Sequence, residues 1–273
     1  MKRLFKPMEG RRNQLLVLMA GFFMFLAAVS FTGCDDNDSY EAKLEEARMA
    51  LDDGNYARAK SILDTLPQTV QVLEYLSNAV AGGELNLDTL NIISTLDELD
   101  NEGNTGSIDM IGRVIGDENN QLMCADIATK LQAATEAILQ FKLIAEMKGV
   151  ELNALTDNQK TQLGLLGVTR IVLTLAHRIC ARVEGPVIMT EAWIQDNRAG
   201  FTPLITEAQE GTEEVTADLA MINEDLIYVG YAIDVFAETN DIKDDFEEFK
   251  AELDGNQDGT VTVAELNSYV ENL

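Results

Sequence analysis

The sequence predicts an all-α protein, built as a helical bundle or a short solenoid-like body. From Tyr40 onward, apolar residues recur at steps of three and four, the period of an amphipathic helix. Only 4 prolines interrupt the 273 residues, and almost no stretch has the alternating pattern of a strand. A chain of this length can form one or two domains with their own cores.

The chain is strongly acidic, with 20 Lys and Arg residues against 47 Asp and Glu residues. Residues 1–33 hold five of the basic residues and one of the acidic ones, which leaves 15 basic and 46 acidic residues in the remainder. This acidity argues against binding to nucleic acid and against direct adhesion to anionic lipid headgroups. Solvation of helix surfaces is its simplest explanation.

Residues 1–33 have the regions of a secretory signal: basic residues, an apolar run at 15–31, and Gly33 directly before Cys34. This ending resembles the signal peptide of bacterial lipoproteins. The resemblance implies removal of residues 1–33, lipid on Cys34 and a short tether over residues 34–39. The alternative is an uncleaved membrane anchor, because a run of 17 residues is barely long enough to span a bilayer.

Asp35 and Asp36 follow the cysteine. Acidic residues at this place resemble an inner-membrane retention signal of enteric lipoproteins and, equally, a surface-export signal of other lineages. The resemblance therefore implies the bacterial cell envelope, with the chain held on the membrane by lipid and facing the periplasm or the cell surface.

Residues 40–238 are predicted to form the helical body, beginning with helices at 42–52 and 56–66. The run at 54–59 resembles the second half of a tetratricopeptide repeat, which implies a concave protein-binding face. An ordinary helical hairpin is the alternative, since such arrays need about three repeats. Further helices are predicted at 69–81, 87–99, 122–148, 158–183 and 191–196, with a long helical region over 206–238.

Three of these segments carry further expectations. The helix at 158–183 is apolar on more than one face and should be central. Gly82 and Gly83 should end the helix that precedes them. Residues 100–108 resemble a calcium loop but have no acid at the closing position, so a polar loop is the better interpretation.

Cys124 and Cys180 lie at equal distances from the loop predicted between the two longest helices. Antiparallel helices joined there would bring both cysteines to one level, and a compartment outside the cytoplasm permits a disulfide. The bond requires Cα atoms within about 7 Å. A disulfide and two free buried thiols both stay open at this point.

The sequence has no pattern typical of an active site, and we expect the protein not to be an enzyme. His177 is the only histidine, and both it and Trp193, the only tryptophan, are expected to be packed within helices. A phosphate loop, a nucleophile elbow and a Cys-x-x-Cys motif are all missing.

Residues 254–265 have the pattern D-x-N-x-D-G-x-V-x-x-x-E, with oxygen-bearing side chains at alternate positions and Gly259 at a sharp turn. This pattern resembles the calcium loop of the EF-hand family. The resemblance implies calcium as the cofactor, bound by Asp254, Asn256, Asp258, the Thr260 carbonyl, Thr262 and both oxygens of Glu265. An acidic surface turn is the alternative.

The flanks of the loop favour the same interpretation, and residues 239–273 are predicted to form the EF-hand. Apolar stripes precede and follow the loop: Ile242, Phe246, Phe249 and Leu253, then Leu266, Tyr269 and Val270. Hands of this family usually pair, and no convincing second hand is present. The resemblance therefore implies that this hand leans on the helical body or on another copy.

Taken together, these features predict a lipid-anchored, calcium-binding helical protein of the cell envelope that serves as a scaffold or protein-interaction module. Its expected partners are the membrane, through Cys34, and another envelope protein, but not nucleic acid. Two alternatives stay open: a helical carrier of a small apolar ligand, and an envelope hydrolase that uses paired carboxylates.

Overall fold

The computed structural model describes residues 39–87, 122–185, 187–236 and 241–273. Over these residues the protein is all-α, as the sequence predicts, and the only strands there are two pieces of two residues each. The chain divides into two compact units, Met1–Lys43 and Leu44–Leu273. Cys34, residues 88–99 of the helix predicted at 87–99, and the loop predicted at 100–108 lie outside the described residues.

Nine α-helices occur in the described part of the chain. They are α1 (Tyr40–Asp52), α2 (Tyr56–Leu63), α3 (Val70–Leu85), α4 (Ile127–Lys148), α5 (Asp157–Cys180), α6 (Glu191–Asn197), α7 (Glu213–Ile233), α8 (Asp241–Leu253) and α9 (Val263–Asn272). Strands β1 (Leu122–Met123) and β2 (Ile188–Met189) pair antiparallel, with Leu122 opposite Met189.

Helix α5 is the central element, as its apolar sequence predicts, and it packs against both α4 and α7. A Cβ on Gly164 would lie 2.4 Å from the Cβ of Ala232, so the missing side chain lets α7 approach closely. By length and composition α5 could also cross a bilayer. However, 89% of its most apolar window is buried inside the protein, which is the environment of a core helix.

The prediction that Gly82 and Gly83 end a helix was wrong. Helix α3 continues through both to Leu85 and ends at Asn86, whose φ of 53° is left-handed. Gly82 instead serves packing, because a Cβ there would lie 2.2 Å from Cε1 of Tyr56. A glycine that makes room for a neighbouring ring looks the same in sequence as one that ends a helix.

Two predicted helix starts were also wrong. Helix α4 begins only at Ile127, because Leu122 and Met123 pair with β2. Helix α7 begins at Glu213 rather than near Thr206. Gly211 adopts a left-handed φ of 78°, and the hydroxyl of Thr212 then caps the helix by accepting a hydrogen bond from the Val215 N–H.

Cys124 and Cys180 form a disulfide, with their Cα atoms 5.5 Å apart. The bond joins the residue shortly before α4 to the last residue of α5. Gly149, with a φ of 65°, ends α4 on the other side of the hairpin. The α4–α5 pair is therefore closed at one end by the loop and at the other by the disulfide.

A buried ion pair links α5 to α7. The guanidinium of Arg170 donates to both carboxylate oxygens of Asp225, at 2.8 and 2.7 Å, and these side chains are 3% and 0% exposed. The neighbouring Glu224 accepts from Arg170 at 3.1 Å and from Lys142 of α4 at 2.7 Å. Three helices are thus connected through one segment of α7.

The two residues singled out as packed differ in their surroundings. Trp193 is half-buried and stacks on Phe201, with ring centroids 6.0 Å apart. His177 is exposed, so the expectation that it packs within the core was wrong. It is an exposed position in an otherwise buried part of α5, where its sequence neighbours Ala176 and Arg178 are buried.

Candidate calcium site

Helices α8 and α9 pack against each other and enclose the loop at residues 254–265. The ring of Phe249 meets Tyr269 edge to face, with centroids 6.4 Å apart, and Phe246 meets Phe236 in the same way at 5.8 Å. Six residues of the apolar stripes predicted on both flanks are buried: Phe246, Phe249, Leu253, Leu266, Tyr269 and Val270. The loop therefore starts and ends on a fixed helix pair.

Asp254, the first residue of the loop, is held by backbone groups from the other side of the turn. Its carboxylate is 2% exposed and accepts from the Asp258 N–H at 3.2 Å and from the Gly259 N–H at 2.8 Å. These bonds curl the chain around the carboxylate. The left-handed φ of 86° at Gly259 allows this curl, since a residue with a Cβ rarely adopts that conformation.

Asn256 and Asp258 make short local turns inside the loop. The Asn256 side-chain oxygen accepts from the Asp258 N–H at 2.8 Å, and the Asp258 carboxylate accepts from the Thr260 N–H at 2.9 Å. Turns of this kind are the typical local structure of Asn and Asp. They fix both side chains by backbone donors, so that each keeps lone pairs for another partner.

Glu265 connects the end of the loop to its beginning. One carboxylate oxygen accepts from the Asn256 N–H at 3.2 Å, and the other accepts from the Thr262 N–H at 2.9 Å and hydroxyl at 2.8 Å. Thr262 in turn caps α9 by accepting from the Glu265 N–H. The Thr262 hydroxyl, followed by backbone donors, lowers the pKa of Glu265 below its ordinary value of 4.5.

The donor set suits a hard cation of the size of calcium. Carboxylate, amide, hydroxyl and carbonyl oxygens are the ligands that calcium takes in proteins, and it tolerates irregular geometry. Within the described ranges, no group of three or more His, Cys, Asp or Glu side chains is placed to hold a metal ion. The carboxylates of Asp254, Asp258 and Glu265 accept hydrogen bonds from loop backbone groups.

Two asparagines that the sequence did not predict connect the segment of α8, the loop and α9 to the rest of the chain. The Asn223 side chain, on α7, accepts from the Val261 N–H at 2.6 Å and donates to the Val261 carbonyl at 3.1 Å. The Asn267 side chain, on α9, makes the same two bonds to Ile205, at 2.8 and 2.9 Å. Neither asparagine stands in a motif, so a single sequence carries no signal for them.

A groove with a volume of about 700 Å³ lies between α7 and α8 and reaches the loop. Apolar side chains of α7 form much of its wall, and its lining also carries Lys250 and the acidic residues Asp234, Glu247 and Asp254. Its lining includes Leu226, Ile227, Tyr231, Ile233, Ala251 and Gln257. The groove is open, and its volume lies in the range of small-molecule sites.

The six predicted calcium ligands all lie within residues 254–265, and Cys124 and Cys180 form a disulfide. Cys34 lies outside the described residues. No protein-family model, curated protein or solved structure matches the chain.

Proposed function

We propose that this chain is a lipid-anchored, calcium-binding helical protein of the bacterial cell envelope that works as a scaffold for a protein partner. The observation that supports calcium binding most directly is that backbone N–H groups of the loop donate hydrogen bonds to its side-chain oxygens. Asp254, Asn256, Asp258 and Glu265 are each held by such a donor, so little reorganisation is needed when an ion arrives.

The ion would act as a clamp on the end of the chain. Asp254, Asp258 and Glu265 bring three carboxyl groups to one loop, and a divalent ion would be attracted to all of them. Calcium-binding modules outside the cell work at dissociation constants of roughly 10⁻⁴ to 10⁻³ M. Calcium in the surroundings then keeps such a site filled, which suits a structural role better than a fast sensor.

Thermal unfolding tests the calcium proposal. The protein is purified in detergent and melted in millimolar calcium, millimolar magnesium or excess chelator. We expect calcium to raise the melting temperature above that in chelator, and magnesium to raise it less, because magnesium demands a more regular octahedral shell. Identical melting curves in calcium and in chelator would contradict the proposal.

The lipid anchor rests on the Gly33–Cys34 sequence and the apolar run before it. Each buried CH₂ of an acyl chain contributes about 0.8 kcal/mol, so that two or more chains hold a protein firmly on a membrane. We expect Cys34→Ser to leave the precursor uncut or to release the protein. An intact Met1 terminus in the membrane-bound protein would contradict lipidation.

A scaffold must have a partner, and cross-linking on intact cells followed by mass spectrometry would identify it. The groove between α7 and α8 favours a second candidate function, that of a carrier for a small apolar ligand. A lipid that co-purifies with the protein at one molecule per chain would support the carrier. Recovery of one envelope protein in the cross-links would support the scaffold.

A further inference from the structure

Val261 lies between two candidate calcium ligands, Thr260 and Thr262. Its side chain is buried, while Thr260 before it and Thr262 after it are exposed. Both backbone groups of Val261 are bonded by one side chain, that of Asn223 on α7. The contact spans 38 residues of sequence and crosses from the helical body into the loop.

The bond to the Val261 N–H sets the direction of the Thr260 carbonyl. That N–H and that carbonyl belong to one peptide group, which is planar and trans, so the two point in opposite directions. When Asn223 accepts from the N–H, it fixes the plane and turns the carbonyl away from α7. A hydrogen bond on the N–H also polarises the peptide group and strengthens its carbonyl as an acceptor.

The bond to the Val261 carbonyl acts on the next peptide group. That group contains the Thr262 N–H, which donates to the Glu265 carboxylate at 2.9 Å. Asn223 therefore fixes the donor that holds one of the two Glu265 oxygens. A single side chain orients two candidate ligands, the Thr260 carbonyl and the Glu265 carboxylate, without touching either.

Asn223 is itself held firmly. Ile222 and Leu226 beside it are buried, and the next two residues along α7 form ion pairs with α4 and α5. The side-chain amide of Asn223 thus connects the packed helical body to the loop. A rigid support of this kind is what a binding site needs to keep its ligands in place before the ion arrives.

We propose that Asn223 is a positioning residue of the calcium site, which orients the Thr260 carbonyl and the Glu265 carboxylate through the two peptide groups of Val261. This inference rests on the proposed calcium function and adds to it a specific connection between the loop and helix α7.

Calcium titration of Asn223→Ala in the full chain tests the proposal, and Asn267→Ala is the matched control. Asn267 makes the same pair of bonds to a backbone outside the loop, so both variants lose equivalent chemistry. Loss of two hydrogen bonds of ordinary strength predicts calcium binding about tenfold weaker in Asn223→Ala. We expect less than about a threefold change in Asn267→Ala.

Amide hydrogen exchange at Val261 gives a second readout that needs no calcium. We expect the Val261 N–H to be protected in the wild type, in chelator and in calcium, and to exchange quickly in Asn223→Ala. Equal loss of affinity in both variants would overturn the proposal, since it would indicate general destabilisation.

Rapid exchange at Val261 in the wild type would overturn the proposal as well. If the wild type binds no calcium at millimolar concentration, the proposed function fails and the positioning role at the site fails with it. A protected Val261 in that case would show that the contact with Asn223 exists but serves stability alone.

Discussion

Glu265 and Thr262 hold each other at the start of helix α9. The carboxylate of Glu265 accepts from the N–H and the hydroxyl of Thr262, and the same hydroxyl oxygen accepts from the Glu265 N–H. Reciprocal bonds of this kind satisfy donors that a helix start leaves without partners. The residue predicted to close the calcium shell is therefore also a helix cap, and the two roles can be separated by substitution.

The first prediction concerns the pKa of Glu265 and stability at low pH. The Thr262 hydroxyl lowers the pKa of Glu265 in the folded state, so the bonds stabilise the fold above the ordinary, unfolded-state pKa of 4.5. That stability is fully present at pH values about one unit or more above 4.5, and it is lost as the pH falls through the lowered folded value. We expect a carboxyl-carbon NMR titration in chelator to give a Glu265 pKa below 4.5.

Thr262→Ala provides the control for this titration. Without the hydroxyl, the pKa of Glu265 should rise toward its ordinary value, because the hydroxyl makes the largest contribution to the shift. If the wild-type pKa lies at or above 4.5, or if Thr262→Ala leaves it unchanged, the bond between these two residues does not have the role described.

The second prediction concerns the buried pair of Arg170 and Asp225. Asp225→Leu alone should lower the free energy of unfolding by about 3–5 kcal/mol, because it leaves a buried guanidinium without its main partner. Arg170→Met combined with Asp225→Leu should recover most of that loss, since neither charge is then buried. Denaturant unfolding of the three proteins measures both differences. A double variant less stable than the single one would contradict this account.

The third prediction concerns the disulfide. Cys124 and Cys180 are 56 residues apart, and closing a loop of that length should stabilise the protein by about 4 kcal/mol. Reduction should therefore lower the melting temperature of the wild type. Cys124→Ala with Cys180→Ala should melt at the lower temperature with or without reductant. Two alkylatable thiols at these positions in the unreduced, denatured protein would contradict the bond.

Local patterns in the sequence predicted the elements that depend on neighbouring residues. Apolar residues at every third or fourth position predicted the central helix α5, and the stripe of Phe246, Phe249 and Leu253 predicted the buried face of α8. The loop pattern likewise gave the turn at Gly259, because a left-handed φ favours glycine there. Each of these features depends on residues within one helix turn or one loop.

Contacts between distant residues could not be predicted in the same way. Gly82 looks like a helix terminator until Tyr56, which lies 26 positions earlier, is seen against it. The strand pair that delays the start of α4 joins residues on both sides of a helical hairpin. Asn223 is similar, since its role comes from Val261, and no local pattern distinguishes it from a surface asparagine.

The last prediction concerns the binding of calcium to Glu265. Glu265→Gln keeps a side chain that suits the helix cap, but it removes the charge and the bidentate ligand. Without calcium it should therefore cost only about 0.3–1 kcal/mol of stability, the usual range for a charge at a helix start. Its effect on calcium binding should be much larger, and larger than that of Thr262→Ala, whose position can be replaced by a bridging water.

Isothermal calorimetry of the full chain in detergent, with calcium and then with magnesium, measures this binding. We expect one calcium per wild-type chain, with a dissociation constant of roughly 10⁻⁴ to 10⁻³ M, weaker binding of magnesium, and loss of most calcium affinity in Glu265→Gln. No calcium heat at millimolar concentration in the wild type, with a melting temperature unchanged by chelator, would show that residues 254–265 are only an acidic turn.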